Sequence, residues 1–131
     1  MKNKHPSGRV GAAIGSSRIS GGWRAFLWAA CVFNLVIGAL GMLFPASTID
    51  ARIVGSLVFA FGVVYFFVAR DPVRFAPVLW AGVIGKLGVV ALLLPAALTE
   101  EGSAVAIAIL GLDVAFALGF IAFLFTKGDE D

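Results

Sequence analysis

The run "APVLWAGVIGKLGVVALLL", residues 76–94, contains nineteen residues and a single charge, Lys86. An α-helix needs about 20 mainly apolar residues to cross the roughly 30 Å hydrocarbon core of a bilayer, so this run has spanning length. Its apolar residues follow one another without the strict alternation of a transmembrane β-strand, which argues against a barrel. The run therefore reads as a membrane helix, and it raises the question of why a lysine stands at its middle.

Three further runs of the same kind, 25–44, 53–69 and 104–125, complete a set of four. The connections are short, which favours antiparallel neighbours. The expected fold class is an all-α membrane protein, a four-transmembrane-helix up-down bundle with both termini cytoplasmic. Composition agrees: of 131 residues 60% are hydrophobic and 14% charged, against roughly 45–50% and about 25% in a soluble domain. A soluble chain of this length could not hide so much apolar surface.

The breaks carry helix punctuation. Pro45 is expected to stop the first helix, and Ser47 with Asp50 three residues on is a start signal for the second. Arg52 and Arg70 are then placed just outside the second span, snorkelling from its ends. Asp71 is expected as an N-cap with Pro72 at the first helical position, and Pro77 lies in the first turns of the third helix or kinks it. Pro95 is expected to end that helix, with Thr99 or Ser103 capping the fourth.

Basic residues set the orientation. Lys2, Lys4, Arg9, Arg18, Arg24, Arg70, Arg74 and Lys127 fall on one side, whereas the other has Arg52 with Glu100 and Glu101. Eight against one is a positive-inside bias that places both termini in the cytoplasm. Trp23, Trp28 and Trp80 fall toward the same side, as an interfacial belt does. Residues 1–22 read as a flexible basic cytoplasmic tail that fixes topology beside anionic lipid, 23–126 as the transmembrane domain, and 127–131 as a short acidic tail.

Counting from the ends of each run puts Lys86 near the midpoint of the third helix, Asp113 near that of the fourth and Asn34 near that of the first. A central Lys or Asp costs about 2.5–3.5 kcal/mol to insert, and each Leu, Ile, Val or Phe returns roughly 0.3–0.6. The ten such residues of the third run barely cover Lys86 on that scale. Lys86 and Asp113 should therefore face the interior and pair. Tyr65 stands one turn from the centre of the second helix as a candidate hydroxyl partner, so the expected buried polar cluster is Lys86, Asp113, Asn34 and Tyr65.

Small residues mark the faces that would surround it. Cys31, Asn34, Gly38 and Gly41 share one face, as do Gly82, Gly85 and Lys86, and Ala106, Leu110, Asp113 and Ala117. The second helix adds Gly55, Ser56 and Gly62. Gly38, Gly41, Gly55, Gly62, Gly82 and Gly85 are read as helix-packing glycines, since small residues let backbones approach in lipid, and a closed, glycine-packed bundle around the pair is expected. "VIGALG" at 36–41 and "VIGKLG" at 83–88 agree at five of six positions, which leaves open a duplicated hairpin.

Enzyme chemistry finds little to work with. His5, the sole histidine, lies in the tail, so no Ser-His-Asp or Cys-His arrangement forms, and no metal or cofactor is expected. Gly8, Gly11 and Gly15 follow no strand and make no phosphate loop. Cys31 is the only cysteine, which excludes an intrachain disulfide. The basic excess is an orientation signal rather than a nucleic-acid patch. Membrane lipids are the expected partners, with a homo-oligomer left open, and the chain is not read as an enzyme.

The segments "VFNLVIGALGMLFP", "YFFVARDP", "GKLGVV" and "LGLDVAFALGFIAFL" resemble small uncharacterised four-helix membrane proteins of bacteria, and more loosely the DoxX-like group of inner-membrane proteins. The resemblance rests on helix count, the Arg-Asp-Pro turn, the Gly-Lys of the third helix and the acidic residue of the fourth. It implies a multi-pass bacterial inner-membrane protein and brings no catalytic residues. The function expected is a structural or accessory bundle held by a midplane Lys–Asp pair. The alternative is a component for small-solute or proton transport, acting as an oligomer through the same polar cluster, and a weaker one is quinone or lipid binding.

Overall fold

The computed structural model describes residues 19–99 and 101–128. The basic tail through Arg18, Glu100, the Lys127 side chain and residues 129–131 lie outside the described residues, and with them most of the two tail assignments. Every secondary-structure element among the described residues is helical: α1 (Gly21–Leu43), α2 (Ile49–Arg70), a short α3 (Pro72–Phe75) continued by a 3-10 turn (Ala76–Val78), α4 (Leu79–Ala97) and α5 (Ala104–Gly128). Four stretches, Gly21–Leu43, Ile49–Arg70, Pro72–Ala97 and Ala104–Thr126, are long and apolar enough to cross a membrane.

Local chemistry explains where these helices begin and end. The Ser20 hydroxyl accepts the Trp23 N–H at 3.3 Å, satisfying one of the amides that a helix start leaves without a partner. At the other end of α1 the Phe44 N–H bonds to the Leu40 carbonyl at 3.0 Å before Pro45 stops the run. Thr48, and not Ser47, caps α2: its hydroxyl accepts the Ala51 N–H at 3.2 Å, and Asp50 lies in the first turn, where the helix dipole favours a negative charge. That cap draws Arg52 into the helix, its Nε reaching back 3.4 Å to the Ser47 carbonyl. The second span is accordingly 22 residues, longer than its apolar stretch of 53–69.

Asp71 caps α3 as expected, accepting the Arg74 N–H at 3.2 Å, and the 3-10 turn absorbs Pro77. Pro95 does not end α4, which runs on to Ala97. A proline so near the end removes only its own amide bond, and the Leu98 N–H still reaches the Leu94 carbonyl at 3.0 Å. Ser103 is the cap of α5, accepting the Ala106 N–H at 3.0 Å, whereas the Thr99 hydroxyl donates to Ala96 within α4.

The packing is uneven along the bundle. α1 and α2 run antiparallel with their backbones in close approach at Gly38, Gly41 and Gly55. A Cβ on Gly38 would fall 2.6 Å from the Phe59 Cα and 2.8 Å from the Gly55 carbonyl oxygen. α5 lies on the other side of α1, joined by Phe26 to Phe116 and Phe120 and by Trp23 to Phe123. α4 closes the square between α2 and α5, with Gly82 against Tyr65 and Trp80 edge-on to Phe125. The tightly buried core, including Leu27, Ala30, Tyr65, Val68, Leu79 and Phe120, fills the half of the bundle that holds the N-terminus of α1. The half toward the 44–48 and 98–103 connections is looser.

Candidate functional site

Asn34, Lys86 and Asp113 meet where the packed half gives way to the looser one. Asn34 follows Ala30 and Cys31 on the buried face of α1, and Lys86 shares the inward face of α4 with Gly82 and Val83. The Lys86 ammonium donates to Asp113 Oδ1 at 2.5 Å and to Asn34 Oδ1 at 3.4 Å. Asn34 is itself fixed by donating its amide to the Ala30 carbonyl at 2.8 Å, which orients its oxygen toward the lysine. Lys86 is 6% and Asn34 3% exposed, and the Asp113 side chain 13%. The pair is thus held in surroundings of low dielectric, where each charge depends on the other.

Aromatic faces complete the shell. The ammonium lies 5.3 Å from the Phe33 ring centroid, 5.6 Å from Phe116 and 5.9 Å from Tyr65, within reach of the negative ring faces. Tyr65 joins the cluster through this ring rather than through its hydroxyl. The residue is 1% exposed, and its hydroxyl makes no hydrogen bond to any described residue. The sequence missed Phe33 and Phe116, which among the spans' many phenylalanines carry no local signal. Only their positions one residue before Asn34 and three after Asp113 could have marked them.

The expectation of a closed, glycine-packed shell around the pair is not met. Gly38, Gly41 and Gly55 pack the α1–α2 seam, Gly62 fits against Leu35 and Gly82 against Tyr65. Gly85 does not pack: a Cβ there would find only the Phe61 Cζ, at 3.8 Å. The space beside it belongs to a cavity of about 400 Å³ whose wall includes Asn34, Tyr65, Gly85, Lys86 and Asp113. Ser56 is exposed and donates to the Ile53 carbonyl of its own helix at 2.8 Å, so it lines nothing. Among the described residues no three or more His, Cys, Asp or Glu side chains gather to hold a metal ion.

Comparison with protein families, curated proteins and solved structures gives no match. The chemistry of the site therefore rests on its own geometry. It holds one ion pair of zero net charge, an amide that ties the pair to α1, a ring of aromatic faces and a cavity on one side.

Proposed function

We propose that the chain is a multi-pass protein of the bacterial inner membrane, an up-down bundle with both termini cytoplasmic, in which Lys86, Asp113 and Asn34 pin the helices in register. Its role in this reading is structural or accessory, without an enzymatic activity of its own. One observation carries it: the Lys86 ammonium, on α4, touches all three other spanning helices, bonding to Asp113 on α5 and Asn34 on α1 and lying 5.9 Å from the Tyr65 ring on α2. Each central charge alone would add about 2.5–3.5 kcal/mol to insertion, and together they oblige α4 and α5 to meet at one depth. Orientation draws on the eight basic residues of the terminal and 70–74 segments against Arg52. Arg70 and Arg74 are seated over the Phe66 and Phe75 rings, 5.8 and 5.3 Å from their centroids.

A transport reading draws on the cavity beside the pair. On the other side of the pair, however, Leu27, Tyr65, Leu79, Val83 and Phe120 are buried in one cluster, and a charged solute would meet no polar lining there. The pin is the better supported of the two. The test exchanges the charges, Lys86→Asp with Asp113→Lys. The exchanged protein should assemble and unfold closer to wild type than either single reversal, which places two like charges together. An exchange no better than the single reversals refutes the pin. Loss of a proton or solute flux from reconstituted vesicles, in an exchange that remains folded, establishes transport instead.

A further inference from the structure

The cavity carries more than the pin requires. Its wall runs along α2 from Tyr65 to Val54 and along α4 from Gly82 to Leu93. Eleven residue-to-residue steps on each helix, at 1.5 Å rise apiece, make it roughly 16 Å long, about half the hydrocarbon thickness of a bilayer. Its volume of about 400 Å³ is within the roughly 300–1,000 Å³ range of small-molecule sites. The polar side chains of the wall, Asn34, Tyr65, Lys86 and Asp113, all stand at one end, and the remainder is apolar or glycine. Val54, Leu57 and Leu93, toward the other end, are exposed large apolar residues, so that end opens where lipid lies.

Unused hydrogen-bonding capacity at the polar end indicates what fits. Lys86 spends two of its three N–H groups on Asp113 and Asn34. Asp113 accepts at Oδ1, with no bond to its second oxygen from any described residue. The Tyr65 hydroxyl, on a residue that lines the cavity, makes no hydrogen bond to any described residue, so its donor and acceptor capacity is open to a molecule in the cavity. Donors and an acceptor thus stand together. Because Lys86 and Asp113 cancel, an ionic head group would bring an uncompensated charge into a low-dielectric site.

We propose that this cavity binds a neutral lipophilic molecule with a hydroxyl or carbonyl group at one end, that group seated at Tyr65, Lys86 and Asp113 and the apolar body along Val58 and Val89. The head group completes the hydrogen bonds that the protein leaves open, and the body replaces lipid against the apolar wall. Entry is lateral, from the membrane. The site uses the same ion pair as the pin but makes a separate claim, because it can be blocked without touching either charge.

The test uses the full chain in detergent micelles and a photoreactive, diazirine-bearing hexadecanol. Labelling should saturate, map to the cavity residues of α2 and α4, and be displaced at least tenfold better by hexadecanol than by hexadecane, palmitate or hexadecyltrimethylammonium. Tyr65→Phe should weaken it roughly two- to tenfold, the worth of one hydrogen bond. Gly85→Leu, whose Cβ has room, should abolish saturable labelling in a protein that keeps its helical circular dichroism. Val89→Phe serves the same purpose should the leucine disturb folding. Equal displacement by hexadecane would show a groove that merely takes any chain, and preference for a charged analogue would contradict the neutral head. Undiminished labelling in a folded Gly85→Leu or Val89→Phe protein would remove the site altogether. These variants leave Lys86, Asp113 and Asn34 in place, so their outcome is independent of the pin.

Discussion

Replacing Gly38 by alanine should separate two helices that now touch backbone to backbone. The added Cβ would lie 2.6 Å from the Phe59 Cα and 2.8 Å from the Gly55 carbonyl oxygen, where ordinary contact is 3.4–4 Å. Both neighbours are backbone, so no rotamer change relieves the clash, and α1 and α2 must part by about 1 Å. Overpacking of this kind costs about 1–3 kcal/mol, and the rigidity of the obstacle puts Gly38→Ala at the upper end. Alanine's helix preference returns about 0.5–1 kcal/mol, leaving a net loss of about 2 kcal/mol. Gly88 supplies the control: nothing lies within 4 Å of its Cβ position, so Gly88→Ala should gain about 0.5–1 kcal/mol. Reversible unfolding in mixed micelles, titrated with SDS and followed by circular dichroism, would measure both. Equal stability of the two variants would refute the claim that α1 and α2 are held by close backbone approach.

Other outcomes follow from the same structure. Reporter fusions after residue 131 and within 96–101 should report cytoplasm and periplasm respectively; a cytoplasmic signal from the second would overturn the orientation drawn from the basic residues. Tyr65→Phe should change stability by no more than about 0.5 kcal/mol, because removing a hydroxyl with no bond to lose is close to neutral. A loss above about 1 kcal/mol in the same SDS titration would show that the hydroxyl is bonded within the protein.

The four spans were legible because apolar length is a direct reading of what lipid demands. Their ends were less so. The apolar stretch of the second span stops at charged residues, yet Thr48 starts the helix earlier and carries Asp50 and Arg52 inside it. The common depth of Asn34, Lys86 and Asp113 could be counted, and the structure brings the three together. Tyr65 could be placed near them, but only three-dimensional packing decides that its ring and not its hydroxyl faces the ammonium. The matched strings "VIGALG" and "VIGKLG" show the limit of composition. Gly38 and Gly41 meet small Gly55 on α2, whereas Gly85 and Gly88 have no close neighbour. Close approach needs small residues on both helices, so one string cannot announce it. The cavity had no signal because its wall is drawn from α1, α2, α4 and α5 together, a property of the assembled helices.

The dependence of Lys86 and Asp113 on each other is the centre of this account, and a double-mutant cycle measures it directly. Lys86→Leu and Asp113→Leu each leave one charge stranded in the interior and should each cost about 3–5 kcal/mol in unfolding free energy. The double variant removes both charges and should return to within about 1–2 kcal/mol of wild type, since an apolar pair of similar volume replaces a buried ion pair at little cost. Single losses that simply add in the double variant would show that the two residues do not stabilise each other, and the pin would be wrong.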